Sequence, residues 1–351
     1  MFSSKPFLIA GPCSAESHEQ MLTIANAFKD NDYVNMIRAG VWKPRSKPGH
    51  FEGKGQEALE WLQEVKKVSG KKVCTEVATP EQIELALRYD IDAFWIGARS
   101  TVNPFTVQEI ADALKGTDKA ILIKNPINPD VELWAGAIER IQRSGTKDIA
   151  CIHRGFSSYD QSSKFRNKPN WAIPIEIKRR YPNIPIYCDV SHICGKRNLL
   201  ADVAQRALDL DLDGLMIETH PNPDAALSDA KQQITPDRLL ELVENLTLRK
   251  GESNDTANAQ IEHLRQVMDS VDAEIVDLLA KRKNIGVELG DIKIKNNMPI
   301  YQPERWREIV ESRTEWALKE FDAELIRKIF ELVHEDSIQR QMEQMTPKEK
   351  S

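Results

Sequence analysis

The sequence contains no apolar run near the roughly 20 residues that a membrane span requires. Its first residues, MFSSKPFLIAG, lack the long apolar core and small-residue cleavage site of an export signal, so a cytoplasmic protein is expected. Cysteine is sparse: Cys13, Cys74, Cys151, Cys188 and Cys194 are five in 351 residues. An odd number spread so widely excludes a disulfide-stapled secreted domain and implies reduced thiols. A basic excess is missing too, the formal net charge being -6. That balance excludes a general affinity for nucleic acid or anionic membranes, so any anionic ligand must meet discrete local cations.

What is present is 41% hydrophobic and 29% charged residue in a chain long enough for one large and one small domain. Eight short apolar runs end abruptly in polar residues: FLIAG, VNMIRAG, KVCTEV, AFWIGAR, AILIKNP, IACIHRG, PIYCDVS and GLMIETH. They start near Phe7, Val34, Lys72, Ala93, Ala120, Ile149, Pro185 and Gly214. Between them lie amphipathic stretches such as GQEALEWLQEVKKVSG and LLADVAQRALDLDLD, apolar at three- and four-residue steps. Eight such β/α units over about 240 residues are the count and size of a (β/α)8 TIM barrel of the α/β class. A doubly wound open sheet is the second reading, and it carries no such fixed count.

In a barrel the chemistry gathers where the strands end. Here the runs close on Cys13, Arg38 with Lys43, Pro44 and Arg45 behind it, Glu76, Arg99, Lys124, Arg154, Asp189 with His192, and Glu218. Cations crowded together repel and are costly to desolvate, so such a cluster implies anionic ligands. Arg99, Lys124 and Arg154 read as one phosphate cradle, and Arg45 with Ser46 as a second. Cys13, His192, Glu218 and either Asp224 or Asp229 offer the mixed S, N and O donors that suit a divalent transition metal.

After Leu248 the texture changes to a polar linker, RKGESNDTAN (249–258), and then to purely helical spacing over 259–351. Ile261, Leu264, Val267, Val271, Ile275, Leu278, Ile285, Leu289 and Ile292 mark a long helix to about residue 296, with shorter helices near 303–318 and 322–345. A helix roughly 55 Å long exceeds what so small a domain covers by itself, so pairing with a second chain is expected. A coiled-coil tail serving assembly alone is the plainer reading of it.

At this point the motifs GPCSAES, IRAGVWKPRS with FEGKG, IGAR, IKNP, IHRG, DVSH and IETHPNPDAALSD are on the page. Together, and in this order, they resemble a type I beta 3-deoxy-D-arabino-heptulosonate 7-phosphate (DAHP) synthase over about residues 5 to 248. LRQVMDSVDAEIVDLLAKRKNIGVELGDIK, PIYQPER and EDSIQRQ resemble the all-helical chorismate mutase, a three-helix domain that forms an intertwined dimer. The resemblance implies a bifunctional enzyme of the shikimate pathway, with residues 1–248 condensing phosphoenolpyruvate with erythrose 4-phosphate.

It also implies a metal, Mn2+ before Fe2+, Co2+ or Zn2+, held by Cys13, His192, Glu218 and Asp229. Phosphoenolpyruvate falls to Arg38, Lys43, Arg99, Lys124 and Arg154, and erythrose 4-phosphate to Arg45, Ser46 and Asp189, with Glu76 or Lys43 assisting proton transfer. Only six residues precede the first strand, so feedback control is expected from the mutase part, with prephenate or chorismate as the inhibitor. For the mutase, Arg265, Arg282, Lys293, Arg305 and Gln341 stand at the family's substrate positions. Arg282 and Lys293 lie about 16 Å apart on nearly one helix face, while Arg265 lies some 25 Å before Arg282 and would serve the partner's site in a homodimer.

Gln302 and Trp306 replace the Asp and Glu usual in the family, and that glutamate contacts the substrate hydroxyl. Two other readings compete: the sister synthase acting on arabinose 5-phosphate with a mutase-like regulatory tail, and a catalytically silent metabolite sensor. Pro44 speaks against the first, because that relative has Ala-Asn between its lysine and arginine, and the complete donor set speaks against the second.

Overall fold

The computed structural model describes residues 6–43, 49, 51–158, 163–249, 255–317 and 322–345. The chain divides into two compact units, 1–250 and 251–351. In the first, β1 (Phe7–Gly11), β2 (Met36–Arg38), β3 (Lys72–Val77), β4 (Ala93–Ile96), β5 (Ala120–Lys124), β6 (Ile149–His153), β7 (Ile186–Asp189) and β8 (Gly214–Glu218) close a parallel barrel in chain order. The TIM-type fold expected from the repeating pattern is what forms. The helices α1 (His18–Phe28), α2 (Gln56–Ser69), α3 (Pro80–Arg88), α4 (Ala98–Thr101), α5 (Pro104–Ala113), α6 (Val131–Arg143), α7 (Ala172–Arg180), α8 (Val190–Cys194), α9 (Leu200–Asp209) and α10 (Pro236–Glu244) connect the strands.

Local chemistry starts these helices where they start. Ser17, Thr79, Asn103, Asp130 and Thr235 each accept a hydrogen bond from a first-turn amide, and Pro80, Pro104 and Pro236 occupy first-turn positions that need no donor. Alternation along the strands then sorts side chains into two cores. Ile9, Met36, Cys74, Trp95, Leu122, Ile152, Tyr187 and Met216 fill the barrel, while Leu8, Ile37, Val73, Phe94, Ile121, Cys151, Cys188 and Leu215 face the helices. The same parity, carried to the strand ends, aims Arg38, Lys124, Asp189 and Glu218 inward at the mouth. Gly11, at φ 137°, is required there, since a Cβ would stand 2.2 Å from the Arg38 carbonyl oxygen.

In the second unit α11 (Asp255–Lys295), α12 (Pro303–Ala317) and α13 (Ala323–Met345) pack as α11 on α13 and α12 on α13. The long helix begins four residues before the position at which the spacing alone starts it, so part of the stretch read as linker is helical. Gly286 and Gly290, one turn apart, let α13 approach closely: a Cβ on Gly290 would meet Gln344 Oε1 at 2.3 Å and Gln341 Cγ at 2.9 Å. The apolar stripe of α11 stays open within one chain, with Leu264, Val271, Ile275, Leu278, Ile285 and Leu289 all exposed. No described helix is long and apolar enough to cross a membrane.

Candidate active sites

At the barrel mouth Cys13, Glu218 and Asp229 bring one sulfur and two carboxylate groups within 4.8 Å of one another. His192 Nε2 lies 3.8 Å from Glu218 Oε1 and 3.7 Å from Asp229 Oδ2. Its Nδ1 bonds to Asp189, whose Oδ1 also accepts the His192 amide as the cap of α8, so one carboxylate sets both backbone and ring. Asp224, the other candidate from sequence, pairs instead with Arg197 at 2.6 Å.

The donor set fits a divalent ion. Among the described residues Glu218 Oε1 is buried without a hydrogen-bond partner, although Arg38 Nη2 faces it at 3.2 Å. Burial, with Glu218 and Asp229 nearby, pushes the Cys13 thiol up to about 11 against the pull of Lys43. A thiol so placed is a poor free nucleophile at neutral pH, and a cation among these ligands is what would deprotonate it. Burial opposes the ionised form of Asp229, yet His192 and Arg166 hold it below the usual carboxylate range.

The cations take distinct stations. Arg38 is 1% exposed, lies 4.8 Å over the Trp95 ring and reaches Met216 Sδ at 3.3 Å beside Glu218. Lys124 Nζ bonds to Asp189 at 2.7 Å, so these two charges are compensated within the barrel. Arg154 differs. Its guanidinium donates to Asn167 Oδ1 at 2.8 Å and to the Gly155 carbonyl at 3.3 Å, and no carboxylate pairs with it among the described residues. Burial, reinforced by Arg166 and Arg99 and opposed by Asp189, brings its pKa down to about 10. A desolvated guanidinium beside further cations, without a carboxylate among the described residues, has the chemistry to take an anion.

Arg99 is exposed on α4. Lys43 Nζ stands 3.3 Å from the Cys13 sulfur. Glu76 Oε1 occupies the space where a Cβ on Gly97 would be, and with Trp42, Lys43, Glu52, Ala78 and Gln82 it lines a cavity of about 210 Å³. Arg45 and Ser46, expected at the second phosphate, lie outside the described residues, as does Pro44.

Several residues that sequence reasoning passed over hold this mouth together. Gln232 Nε2 donates to Glu218 Oε2 at 2.7 Å and to Asp229 Oδ2 at 3.3 Å, while its Oε1 accepts from Arg166. Gln233 accepts the Cys13 amide at 3.0 Å. Asn125 accepts the Arg154 amide at 2.7 Å, and Asn167 Nδ2 donates to the His192 carbonyl at 2.6 Å. Amides in loops follow no hydrophobic period, and only proximity in the fold exposes their role.

In the second unit Arg282 Nη1 donates to the Val333 carbonyl at 3.3 Å and Lys293 Nζ to the Ile300 carbonyl at 2.6 Å. Gln341 is 6% exposed, donates to Ser337 Oγ at 3.2 Å and leaves its Oε1 buried without a partner among the described residues. Trp306 stacks on His334 at 4.1 Å and 11°. Arg305 is exposed and paired with Glu308 at 2.9 Å, and Arg265 is exposed near Glu262 at 3.7 Å, so neither joins this group within one chain.

Residues 3–250 match the DAHP synthetase I family, and residues 264–342 match chorismate mutase type II. A phospho-2-dehydro-3-deoxyheptonate aldolase of Thermotoga maritima is 31% identical over 239 residues, 68% of each chain. The crystal structure of a T. maritima DAHP synthase matches with a TM-score of 0.62 at 30% identity, covering 69% of this chain and 68% of that one. A 2-dehydro-3-deoxyphosphooctonate aldolase of Nitratidesulfovibrio vulgaris is 24% identical over 270 residues, 70% of this chain and 92% of its own.

Proposed function

The chain belongs to the DAHP synthetase I family and carries a chorismate mutase type II domain after the barrel, and from that membership we propose how its two sites work. It is a bifunctional enzyme of aromatic biosynthesis. The barrel joins phosphoenolpyruvate to erythrose 4-phosphate, giving DAHP and phosphate, and the helical unit rearranges chorismate to prephenate.

The observation that supports the synthase reading is the cluster of Cys13, Glu218 and Asp229, with His192 Nε2 3.7–3.8 Å from the two carboxylates, beside an Arg154 guanidinium that has no carboxylate partner among the described residues. Cys13, His192, Glu218 and Asp229 hold one divalent ion, with Mn2+ first among the candidates. When bound, it supplies Lewis-acid polarisation of the aldehyde. Arg154, Arg99 and Lys124 bind the phosphate and carboxylate of phosphoenolpyruvate and orient its enol carbon toward the aldehyde. Arg38 stays beneath as the counter-charge of Glu218. Lys43, next to the sulfur, holds the proton that the aldehyde oxygen takes up as the carbon–carbon bond forms. Water then adds at the carbon bearing the phosphate ester, and the ester's carbon–oxygen bond breaks to release phosphate.

The mutase step is a pericyclic rearrangement that needs no nucleophile. Arg282, Lys293 and Gln341 hold the dianion folded and stabilise the breaking ether bond. The open apolar stripe of α11 is covered by a second copy of the chain, and Arg265 then serves the partner's site. Prephenate bound in the helical unit lowers the synthase rate.

One assay tests the synthase reading. With both phosphorylated substrates and Mn2+ present, the enol absorbance should fall, chelator should stop the fall, and saturating prephenate should slow it. Activity indifferent to chelator sinks the metal assignment, and a rate indifferent to prephenate sinks the feedback reading.

A further inference from the structure

His334 lies in the second unit, on α13, where the synthase chemistry makes no use of it. Its surroundings are specific. Arg282 is anchored on the carbonyl of Val333, the residue before His334, and Lys293 on the carbonyl of Ile300, the residue before Tyr301. The Tyr301 ring stands 6.2 Å from the His334 ring. The two cations therefore lie near this imidazole, and both act on it electrostatically. Its position is fixed by the stack on Trp306, 4.1 Å between centroids and only 11° from parallel.

In that frame His334 Nε2 is buried and has no hydrogen-bond partner among the described residues. Leaving a polar atom of this kind unpaired is costly, and a ligand that pairs it recovers the loss. Trp306 offers only an indole N–H, so a substrate hydroxyl seeking an acceptor finds none on that side chain. Chorismate carries two carboxylates, which the cations answer, and a ring hydroxyl, which they do not. Burial together with Arg282 and Lys293 lowers the His334 pKa against a smaller pull from Glu335, so the ring is neutral at pH 7. A neutral imidazole can give or accept a hydrogen bond at Nε2 according to its tautomer.

We propose that His334 is a substrate-contact residue of the mutase site, presenting Nε2 to the ring hydroxyl of chorismate from the face of Trp306. The inference rests on the mutase reading and deepens it. His334 selects for a hydroxylated ring, while Trp306 keeps the imidazole upright and sheds water from that wall.

The test uses the full chain and chorismate itself. His334→Leu removes the polar atom and should lower mutase kcat/KM by about 10-fold or more, the loss expected when a buried hydrogen bond to substrate disappears. His334→Gln keeps a polar group at similar reach and should recover most of that loss. Circular dichroism and thermal melting of both variants exclude unfolding as the cause. Equal kcat/KM in His334→Leu and the parent overturns the proposal. So does an equal loss in both variants with the fold intact, because the ring would then act only as packing. A parent with no chorismate turnover overturns the mutase reading itself, a result distinct from either of these.

Discussion

Asn167 is one small side chain with two consequential bonds. Its Oδ1 accepts from Arg154 and its Nδ2 donates to the carbonyl of His192, so one amide ties the proposed anion site to a metal-ligand candidate. The second bond needs the amide, since a carboxylate cannot donate to a carbonyl, whereas either group can accept from Arg154. Asn167→Asp would therefore break the His192 contact and place an anion against Arg154, where it competes with the incoming phosphate. Steady-state kinetics should show KM for phosphoenolpyruvate rising about 10-fold or more, in line with hydrogen bonds to charged groups. An unchanged KM would deny Arg154 its part in phosphate binding. Nothing in the sequence announces Asn167, because a lone Asn in a polar loop has many uses. Arg154 was legible because it follows an apolar run directly, and buried parallel strands leave few places for a charge except their ends.

At the scale of elements, the strands were readable as continuous apolar runs and the helices by their period, and the places where spacing and structure differ lie at boundaries. Val34 and Asn35 precede β2 as loop, with Asn35 Oδ1 accepting the Leu8 amide. Asp255–Asn258 join α11, since helical hydrogen bonding extends through polar residues that carry no hydrophobic signal. The stripe along α11 makes its own prediction. Burying a leucine is worth roughly 1.5–3 kcal/mol, and a symmetric pair counts each substitution twice. Leu278→Glu should shift the chain toward monomer in sedimentation velocity, whereas an undiminished dimer would move the interface elsewhere.

For the molecule as a whole, acid sensitivity follows from a side chain that faces away from the barrel interior. His153 is fully buried, packed 5.2 Å from the Trp171 ring and 5.7 Å from Phe156. Burial, with Arg154 beside it, pushes its pKa down to about 3 from the ordinary 6.5. Below pH 6.5 the unfolded chain takes up a proton that the folded chain refuses until near pH 3. Stability is therefore full above that window and falls as pH drops through it, by up to about 1.4 kcal/mol per pH unit. Urea unfolding of the parent and of His153→Phe between pH 7 and 4.5 should show the parent losing stability more steeply. Parallel slopes would reject this assignment.

The two-residue alternation of β6 has a consequence for how such a protein changes over generations. Arg154 and His153 are neighbours in sequence but point into different worlds, one toward the barrel mouth and one toward the helical jacket. Loss or gain of a single codon within this strand would exchange them, setting an imidazole at the mouth and forcing a guanidinium into an apolar layer. Changes of two codons restore the parity. The strands thus impose a reading frame of their own on inherited length variation, and insertions are tolerated in the loops, where no such frame exists.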